Sequence, residues 1–218
     1  MKKIDTIIFD LDGTLLYTLE DLKASVNYAL EKHSMPPRTL DEVRSFVGNG
    51  VERLMELAVP QGKENPEFVQ TFEDFKAHYL IHCNDTTRAY DGIMDLLKEL
   101  HEQGYKLAIV SNKYMKATQE LNEMYFSKYI EVAIGQSDNV RKKPAPDTVI
   151  EALKRLGSDK ESSIYVGDSD VDVATARASE LPCISCLWGF RTKEELISSG
   201  ATTFINEPKE LLDMIRNS

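Results

Sequence analysis

The 218-residue sequence has few cysteines and no long apolar run. Three cysteines are too few for a framework of disulfides, so we expect the protein in the reducing cytoplasm. No stretch approaches the ~18 consecutive apolar residues that a membrane-spanning helix requires. The apolar run at residues 7–9 is too short for the core of a secretory signal peptide, and no small-residue cleavage site accompanies it.

Basic residues are scarce relative to acidic ones. Lys and Arg total 26 and Asp and Glu total 36, which gives a formal net charge of −10. Nucleic acids and anionic membranes attract surfaces with a local excess of Lys and Arg, so we expect neither as a partner. The negative net charge also disfavours the binding of small anionic ligands, so it is open at this point whether the protein can bind one. The length suits one domain with a modest insertion.

Strand and helix patterns alternate along most of the chain. The predicted strands cover residues 4–9, 106–110, 130–134, 163–166, 183–186 and 202–205. Single helices between successive strands predict an α/β fold, with a parallel sheet covered by helices on both faces. Functional sites in such sheets lie beyond the carboxyl ends of the strands.

One long segment near the N-terminus contains only helical patterns. Its first helix is indicated by apolar residues at three- and four-residue intervals, namely Leu19, Leu22, Val26 and Leu30. Thr18 and Asp21 are placed to form a capping box at the start of this helix. We therefore predict a discontinuous core of residues 1–15 and 86–218, with residues 16–85 as an inserted helical unit.

Polar side chains follow several predicted strands at the points where a parallel sheet brings strand ends together. These residues are Asp10, Asp12, Gly13 and Thr14, then Ser111, Asn112 and Lys113, then Lys143, and finally Asp168 and Asp172. Each motif alone is open to another interpretation, as a turn, a helix cap or a solvated charge. Their common position at one edge of the sheet favours a functional site.

The residue types indicate phosphoryl transfer. Carboxylates grouped around one point repel each other unless a cation neutralises them, and ligands that are all oxygens suit Mg²⁺. A free carboxylate can attack phosphorus, which divides a difficult hydrolysis into two steps through an aspartyl-phosphate. Charge then spreads over the phosphoryl oxygens, where a Lys, a hydroxyl and a metal stabilise it. Asp10 and Asp12 have the spacing to divide nucleophilic attack and proton transfer between them.

Together these motifs resemble those of the haloacid dehalogenase-like hydrolases, over nearly the whole chain. The resemblance implies a Rossmann-like core that carries a helical cap. It makes Asp10 the nucleophile and Asp12 the general acid and base. It also assigns Ser111 and Lys143 to the transferring phosphoryl group.

The resemblance also implies a Mg²⁺ site. Its ligands are Asp10, the backbone carbonyl of Asp12, and Asp168, with Asp172 either beside the metal or behind its ligands. Dehalogenases of this superfamily lack the second Asp and use no metal. Asp12 and Asp168 therefore point to phosphate chemistry.

The inserted unit contains a segment, residues 47–55, that resembles the cap loop of phosphoglycolate phosphatases. Gly48, Asn49 and Gly50 are expected to let the backbone approach a small ligand, and a helix beginning near Gly50 can direct amide groups at an anion. Arg53, one turn further on, is a candidate partner for a substrate carboxylate. The alternative is a helix–turn–helix corner with a surface Arg.

These features predict a phosphatase acting on a small, phosphoglycolate-like monoester. Thr14, Asn112 and Lys113 are further candidates for substrate contact, and residues 188–190 are expected to pack beside the site. A phosphomutase of the β-phosphoglucomutase type and a pyrophosphatase remain alternatives. A non-catalytic relative is expected to lack a catalytic carboxylate or Lys143, and none is missing. We expect a monomer or a homodimer.

Overall fold

The computed structural model describes residues 3–216, which fall into two compact units. One comprises residues 3–15 with 89–216, and the other comprises Leu16–Arg88. The chain returns to the first unit after Arg88, whereas the sequence analysis placed this boundary after residue 85. The predicted core also includes Met1, Lys2, Asn217 and Ser218, which lie outside the described residues.

Strands and helices alternate through most of the described chain. The strands are β1 (Thr6–Phe9), β2 (Leu16–Tyr17), β3 (Arg88–Ala89), β4 (Lys106–Tyr114), β5 (Val132–Gln136), β6 (Ser163–Gly167), β7 (Cys183–Cys186) and β8 (Phe204–Ile205). The helices are α1 (Leu19–Lys32), α2 (Leu40–Phe46), α3 (Val51–Ala58), α4 (Phe68–His82), α5 (Ile93–Glu102), α6 (Met115–Tyr125), α7 (Asp147–Leu156), α8 (Asp170–Ala178), α9 (Lys193–Ser198) and α10 (Lys209–Arg216). None of the described helices combines the length and apolarity that crossing a bilayer requires.

Six of the strands form one parallel sheet in the first unit, which confirms the predicted α/β fold. Their order is β5-β4-β1-β6-β7-β8, so β1 lies between β4 and β6. Ile8 of β1 is opposite Ala108 on one side and Tyr165 on the other, and all three are buried. Helices α7 and α8 contribute Val149, Ala152 and Ala176 to the same apolar cluster. Because the three central strands are parallel and in register, the residues that follow them meet at one edge.

Strand β4 is longer than predicted. It continues through Tyr114 instead of ending at Val110, with an irregular register between these two residues. Residues 111–113 therefore belong to the strand rather than to a turn, and all three are buried. They come after the part of β4 that pairs with β1.

The second unit is helical, apart from the short strand pairing of β2 with β3 near its two ends. The predicted capping box of α1 is wrong, because Thr18 makes no side-chain cap there. The Asp21 carboxylate instead accepts hydrogen bonds from the amides and hydroxyls of Thr86 and Thr87. Burial opposes the charge, but these donors lower the pKa of Asp21. Asp21 thus ties the first helix of the unit to its last residues.

Candidate active site

The centre of the site is a buried ion-pair cluster around Lys143. Asp10 follows β1, and its amide donates to the Val166 carbonyl at 2.9 Å, which fixes its backbone against β6. The Lys143 Nζ donates to Asp10 Oδ1 at 2.6 Å and to Asp172 Oδ1 at 2.7 Å. All three side chains are less than one-tenth exposed, so the charges meet away from bulk water.

Tyr165 completes this cluster and was missed by the sequence analysis. Lys143 Nζ lies 3.1 Å from the Tyr165 hydroxyl, which itself donates to Asp172 Oδ1 at 2.8 Å. The three N–H groups of the ammonium thus have three partners. A tyrosine within a buried, apolar strand is a signal in the sequence, because its hydroxyl usually finds a partner there.

Asp168 and Asp172 follow β6 and are each held by several donors. Asp168 Oδ1 accepts from the Thr14 hydroxyl at 3.0 Å, and Oδ2 accepts from the Phe190 amide at 2.7 Å. Asp172 Oδ2 accepts from the Asp168 amide and from the amide and hydroxyl of Ser169. The Asp172 amide in turn donates to the Ser169 hydroxyl at 3.3 Å, which completes a capping box at the start of α8. Carboxylate oxygens of Asp10, Asp168 and Asp172 lie within 4.8 Å of one another.

The titration properties of these groups reflect their burial first and the neighbouring charges second. Burial, and then the charge of Asp172, raises the pKa of Asp10 well above its usual value and the pKa of Asp168 to about 7. Burial also opposes the charged forms of Asp172 and Lys143. The ion pairs of Lys143 with Asp10 and Asp172 overcome this effect, so the pKa of Lys143 is raised and that of Asp172 is lowered.

This donor set fits a divalent metal ion. Three buried carboxylates lie close together, and Lys143 supplies one positive charge, to Asp10 and Asp172. The oxygens offered are those that Mg²⁺ prefers, and a bound cation would favour the ionised carboxylates. Asp10 and Asp168 can therefore hold a hard cation.

Asp12 lies between two groups from the end of β4. The Ser111 hydroxyl is 3.4 Å from Asp12 Oδ2, and Lys113 Nζ is 3.2 Å from Asp12 Oδ1. The Lys113 amide also donates to the Ser111 hydroxyl at 3.1 Å. Lys113, which the sequence analysis placed against the substrate, is buried and paired with Asp12. The Asp12 carboxylate thus forms an ion pair with Lys113, and the Ser111 hydroxyl lies at a longer distance.

Two other predicted substrate contacts make hydrogen bonds within the core. Asn112 Oδ1 accepts from the Lys143 amide at 2.6 Å, and Asn112 Nδ2 donates to the Lys143 carbonyl at 3.1 Å. This pair fixes the backbone that carries the central lysine. Thr14 is fully buried, and its hydroxyl binds Asp168. Both residues therefore position catalytic candidates, a role that the sequence analysis did not assign to them.

The remaining predicted residues belong to the helical unit. Gly48 and Gly50 have φ values of 125° and 85°, and α3 begins directly after Gly50, with the partly buried Asn49 between the glycines. The Arg53 side chain is 47% exposed, and its Nη1 lies 2.9 Å from Glu56 Oε2. The left-handed backbone explains the glycines, and Arg53 has a carboxylate partner within its own helix.

The family model for haloacid dehalogenase-like hydrolases matches residues 7–186. This span includes every candidate catalytic residue of the core. The chain belongs to the haloacid dehalogenase-like hydrolase family.

Individual relatives extend this likeness to the whole chain. A phosphoglycolate phosphatase of Aquifex aeolicus is 30% identical over 97% of this chain and 96% of its own. The solved structure of a proposed phosphoglycolate phosphatase from Lactobacillus delbrueckii subsp. bulgaricus has a TM-score of 0.93 and 35% identity, over 98% of both chains. A proposed β-phosphoglucomutase of Thermotoga maritima, 18% identical with a TM-score of 0.76 over 98% of this chain and 99% of its own, shares the fold. The chain is a phosphoric monoester hydrolase of this family.

Proposed function

We propose that the protein is a Mg²⁺-dependent phosphatase that hydrolyses a small, carboxylated phosphate monoester resembling phosphoglycolate. The proposal rests above all on the buried Asp10 carboxylate, which contacts Lys143 beside the second buried carboxylate of Asp168. A nucleophile, a fixed cation and a place for a metal are thereby combined at one point. The names of the similar proteins support the substrate class.

In the first step, an Asp10 carboxylate oxygen attacks phosphorus as the bond from phosphorus to the ester oxygen breaks. Asp12 gives a proton to the departing oxygen, so the alcohol leaves neutral. Lys143 and Ser111 stabilise negative charge on the phosphoryl oxygens. The product of this step is an aspartyl-phosphate on Asp10.

In the second step, water attacks the aspartyl-phosphate at phosphorus. Asp12, now a carboxylate, accepts the proton of the water, and the bond from phosphorus to Asp10 breaks. Phosphate leaves and Asp10 returns to its ionised form. The contacts of Asp12 with Ser111 and Lys113 support this role, because they keep its carboxylate beside the hydroxyl assigned to the phosphoryl group.

Mg²⁺ would be held by Asp10, Asp168 and the backbone carbonyl of Asp12. When bound, it supplies positive charge that neutralises the attacking carboxylate and the phosphoryl oxygens. Asp172 supports these ligands and does not itself bind the metal, because its two oxygens already accept hydrogen bonds from Lys143, Tyr165, Ser169 and the Asp168 amide. A carboxylate offers about four acceptor positions, so this set leaves it little capacity for a metal.

The decisive experiment measures phosphate release from 2-phosphoglycolate, β-glucose 1-phosphate and pyrophosphate, with Mg²⁺ and with EDTA. We expect the highest kcat/KM for 2-phosphoglycolate, loss of activity in EDTA and its return with excess Mg²⁺. Full activity in metal-free buffer would contradict the metal site. Formation of glucose 6-phosphate from the sugar phosphate, without phosphate release, would indicate a phosphomutase instead.

Arg53 is the proposed determinant of carboxylate recognition. We expect Arg53→Ala to raise KM for 2-phosphoglycolate by about 10- to 100-fold, because a hydrogen bond to a charged group contributes about 1.5–3 kcal/mol. The KM for β-glucose 1-phosphate should stay unchanged, since that ester has no carboxylate. Glu56→Gln is the matched control, because it removes the partner of Arg53 in α3 and keeps the guanidinium. An equal loss on both esters would show that Arg53 does not read the carboxylate.

A further inference from the structure

The loop between β7 and α9 contacts the site through three consecutive residues. The Trp188 indole Nε1 donates to the Thr14 carbonyl at 3.0 Å, which ties this loop to the one that follows β1. The Phe190 amide donates to Asp168 Oδ2 at 2.7 Å. Before them, the Leu187 amide donates to the Ile205 carbonyl at 2.9 Å and anchors the start of the loop to β8. The loop is therefore anchored to β8 at its first residue and to the Asp168 carboxylate at Phe190.

Each carboxylate oxygen of Asp168 accepts a hydrogen bond. One donor belongs to the loop after β1 and the other to the loop between β7 and α9. Thr14 reaches Oδ1 at 3.0 Å and the Phe190 amide reaches Oδ2 at 2.7 Å. Since Trp188 holds the backbone of Thr14, the two donors belong to one connected network. These contacts use one acceptor position on each oxygen, and a carboxylate has about four. Asp168 thus keeps capacity for a cation, in contrast to Asp172.

Gly189 lets the loop approach Asp168 this closely. A Cβ atom on Gly189 would overlap Asp168 Cβ and lie 2.6 Å from Asp168 Cγ. Gly189 is not among the glycines with a left-handed φ, so any residue could adopt its backbone conformation. Contact with Asp168, and not backbone strain, therefore explains why a glycine stands here.

We propose that residues 188–190 form a positioning element that aims the Asp168 carboxylate at the metal, and that Gly189 is the residue that permits it. This inference rests on the Mg²⁺ site of the proposed function. Groups behind a metal ligand orient it, and changes in them typically lower metal affinity by about 10- to 100-fold. On this proposal the loop acts through Asp168, which it contacts directly at Phe190 and indirectly through Thr14.

The test is calorimetric titration of the purified, metal-free protein with Mg²⁺, which needs no turnover. We expect Gly189→Ala to weaken Mg²⁺ binding by about 10- to 100-fold. In activity assays, saturating Mg²⁺ should restore most of kcat in Gly189→Ala, whereas Asp168→Asn should not be rescued. Wild-type Mg²⁺ affinity in Gly189→Ala would overturn the inference.

Gly104→Ala is the matched control for general destabilisation. Gly104 has a φ of 83° and nothing within 4 Å of an added Cβ, so alanine there strains the backbone far from any contact. We expect it to lower the melting temperature and keep the Mg²⁺ affinity. Reduced Mg²⁺ affinity in Gly104→Ala, equal to that of Gly189→Ala, would attribute the effect to stability and overturn the inference.

Trp188→Phe provides a second variant if Gly189→Ala does not fold. It keeps the aromatic body and removes the N–H that holds Thr14, so we expect a loss of Mg²⁺ affinity at the lower end, about tenfold. Unchanged Mg²⁺ affinity here would overturn the role of the network. A wild-type protein that binds no Mg²⁺ would overturn the proposed metal dependence itself, which is a distinguishable result.

Discussion

Replacing Asp10 with Asn is expected to lower kcat by more than about 1,000-fold, as loss of a nucleophile does in other enzymes. The amide is nearly the same shape as the carboxylate but cannot form the aspartyl-phosphate. The fold should remain intact. At neutral pH, ionised Asp10 carries a burial penalty, reflected in its raised pKa, and Asn removes that penalty.

The control for Asp10→Asn is Asp170→Asn. Asp170 lies in the same acidic stretch as Asp168 and Asp172, but it is exposed at the first turn of α8. The Asp170→Asn variant should retain wild-type kcat for 2-phosphoglycolate. Circular dichroism and the melting temperature should show that both variants fold. Acid-quenched wild-type protein should carry phosphate on the peptide that contains Asp10. Substantial turnover by Asp10→Asn would refute the covalent mechanism.

Replacing Lys143 with Met is expected to abolish most activity and to destabilise the protein by about 3–5 kcal/mol, the usual result of breaking a buried ion pair from one side. Methionine keeps the length of the side chain but leaves Asp10 and Asp172 facing each other without the ammonium. The Tyr165 hydroxyl loses the same partner. The stability loss comes from these uncompensated carboxylates.

Urea unfolding in EDTA measures the stability effect of Lys143→Met without a metal. Lys142→Met, at the exposed neighbouring position, is the control and should unfold within about 0.5 kcal/mol of the wild type. The double variant with Lys143→Met and Asp172→Asn should lose less free energy of unfolding than the two single variants lose together, because both residues belong to one ion pair. A loss below about 1 kcal/mol, or strictly additive effects, would contradict the central role of Lys143.

The acidic composition is compatible with a phosphate ester as ligand. Three of the 36 acidic residues, Asp10, Asp168 and Asp172, form a buried group whose charge invites a cation. Lys143 adds positive charge to the same group, and Lys113 pairs with Asp12. The net charge therefore argued against nucleic acid as a partner, but it gave no information about the electrostatic field at the site.

Much of the fold and the gathering of the main site residues could be predicted from the sequence. Strand and helix patterns are local, and parallel strands separated by single helices leave few topologies. The polar residues near the ends of β1, β4 and β6 were therefore expected at one edge. In the structure Asp10 and Asp168 follow β1 and β6, and Ser111 lies within the C-terminal half of β4. The boundaries were less predictable, since β4 continues to Tyr114 and α1 lacks its expected cap.

Only the tertiary structure decided which polar group binds which. Lys113 and Thr14 were expected at the substrate but contact Asp12 and Asp168, and Tyr165 was not expected at all. Lys143 and Asp10 are 133 positions apart, and their contact depends on an atomic separation of 2.6 Å. Sequence patterns place strands to within a few residues, whereas a hydrogen bond requires placement to within a few tenths of an ångström. The sequence by itself therefore determined the chemistry available at this edge of the sheet, and packing of distant segments determined how that chemistry is divided among the residues.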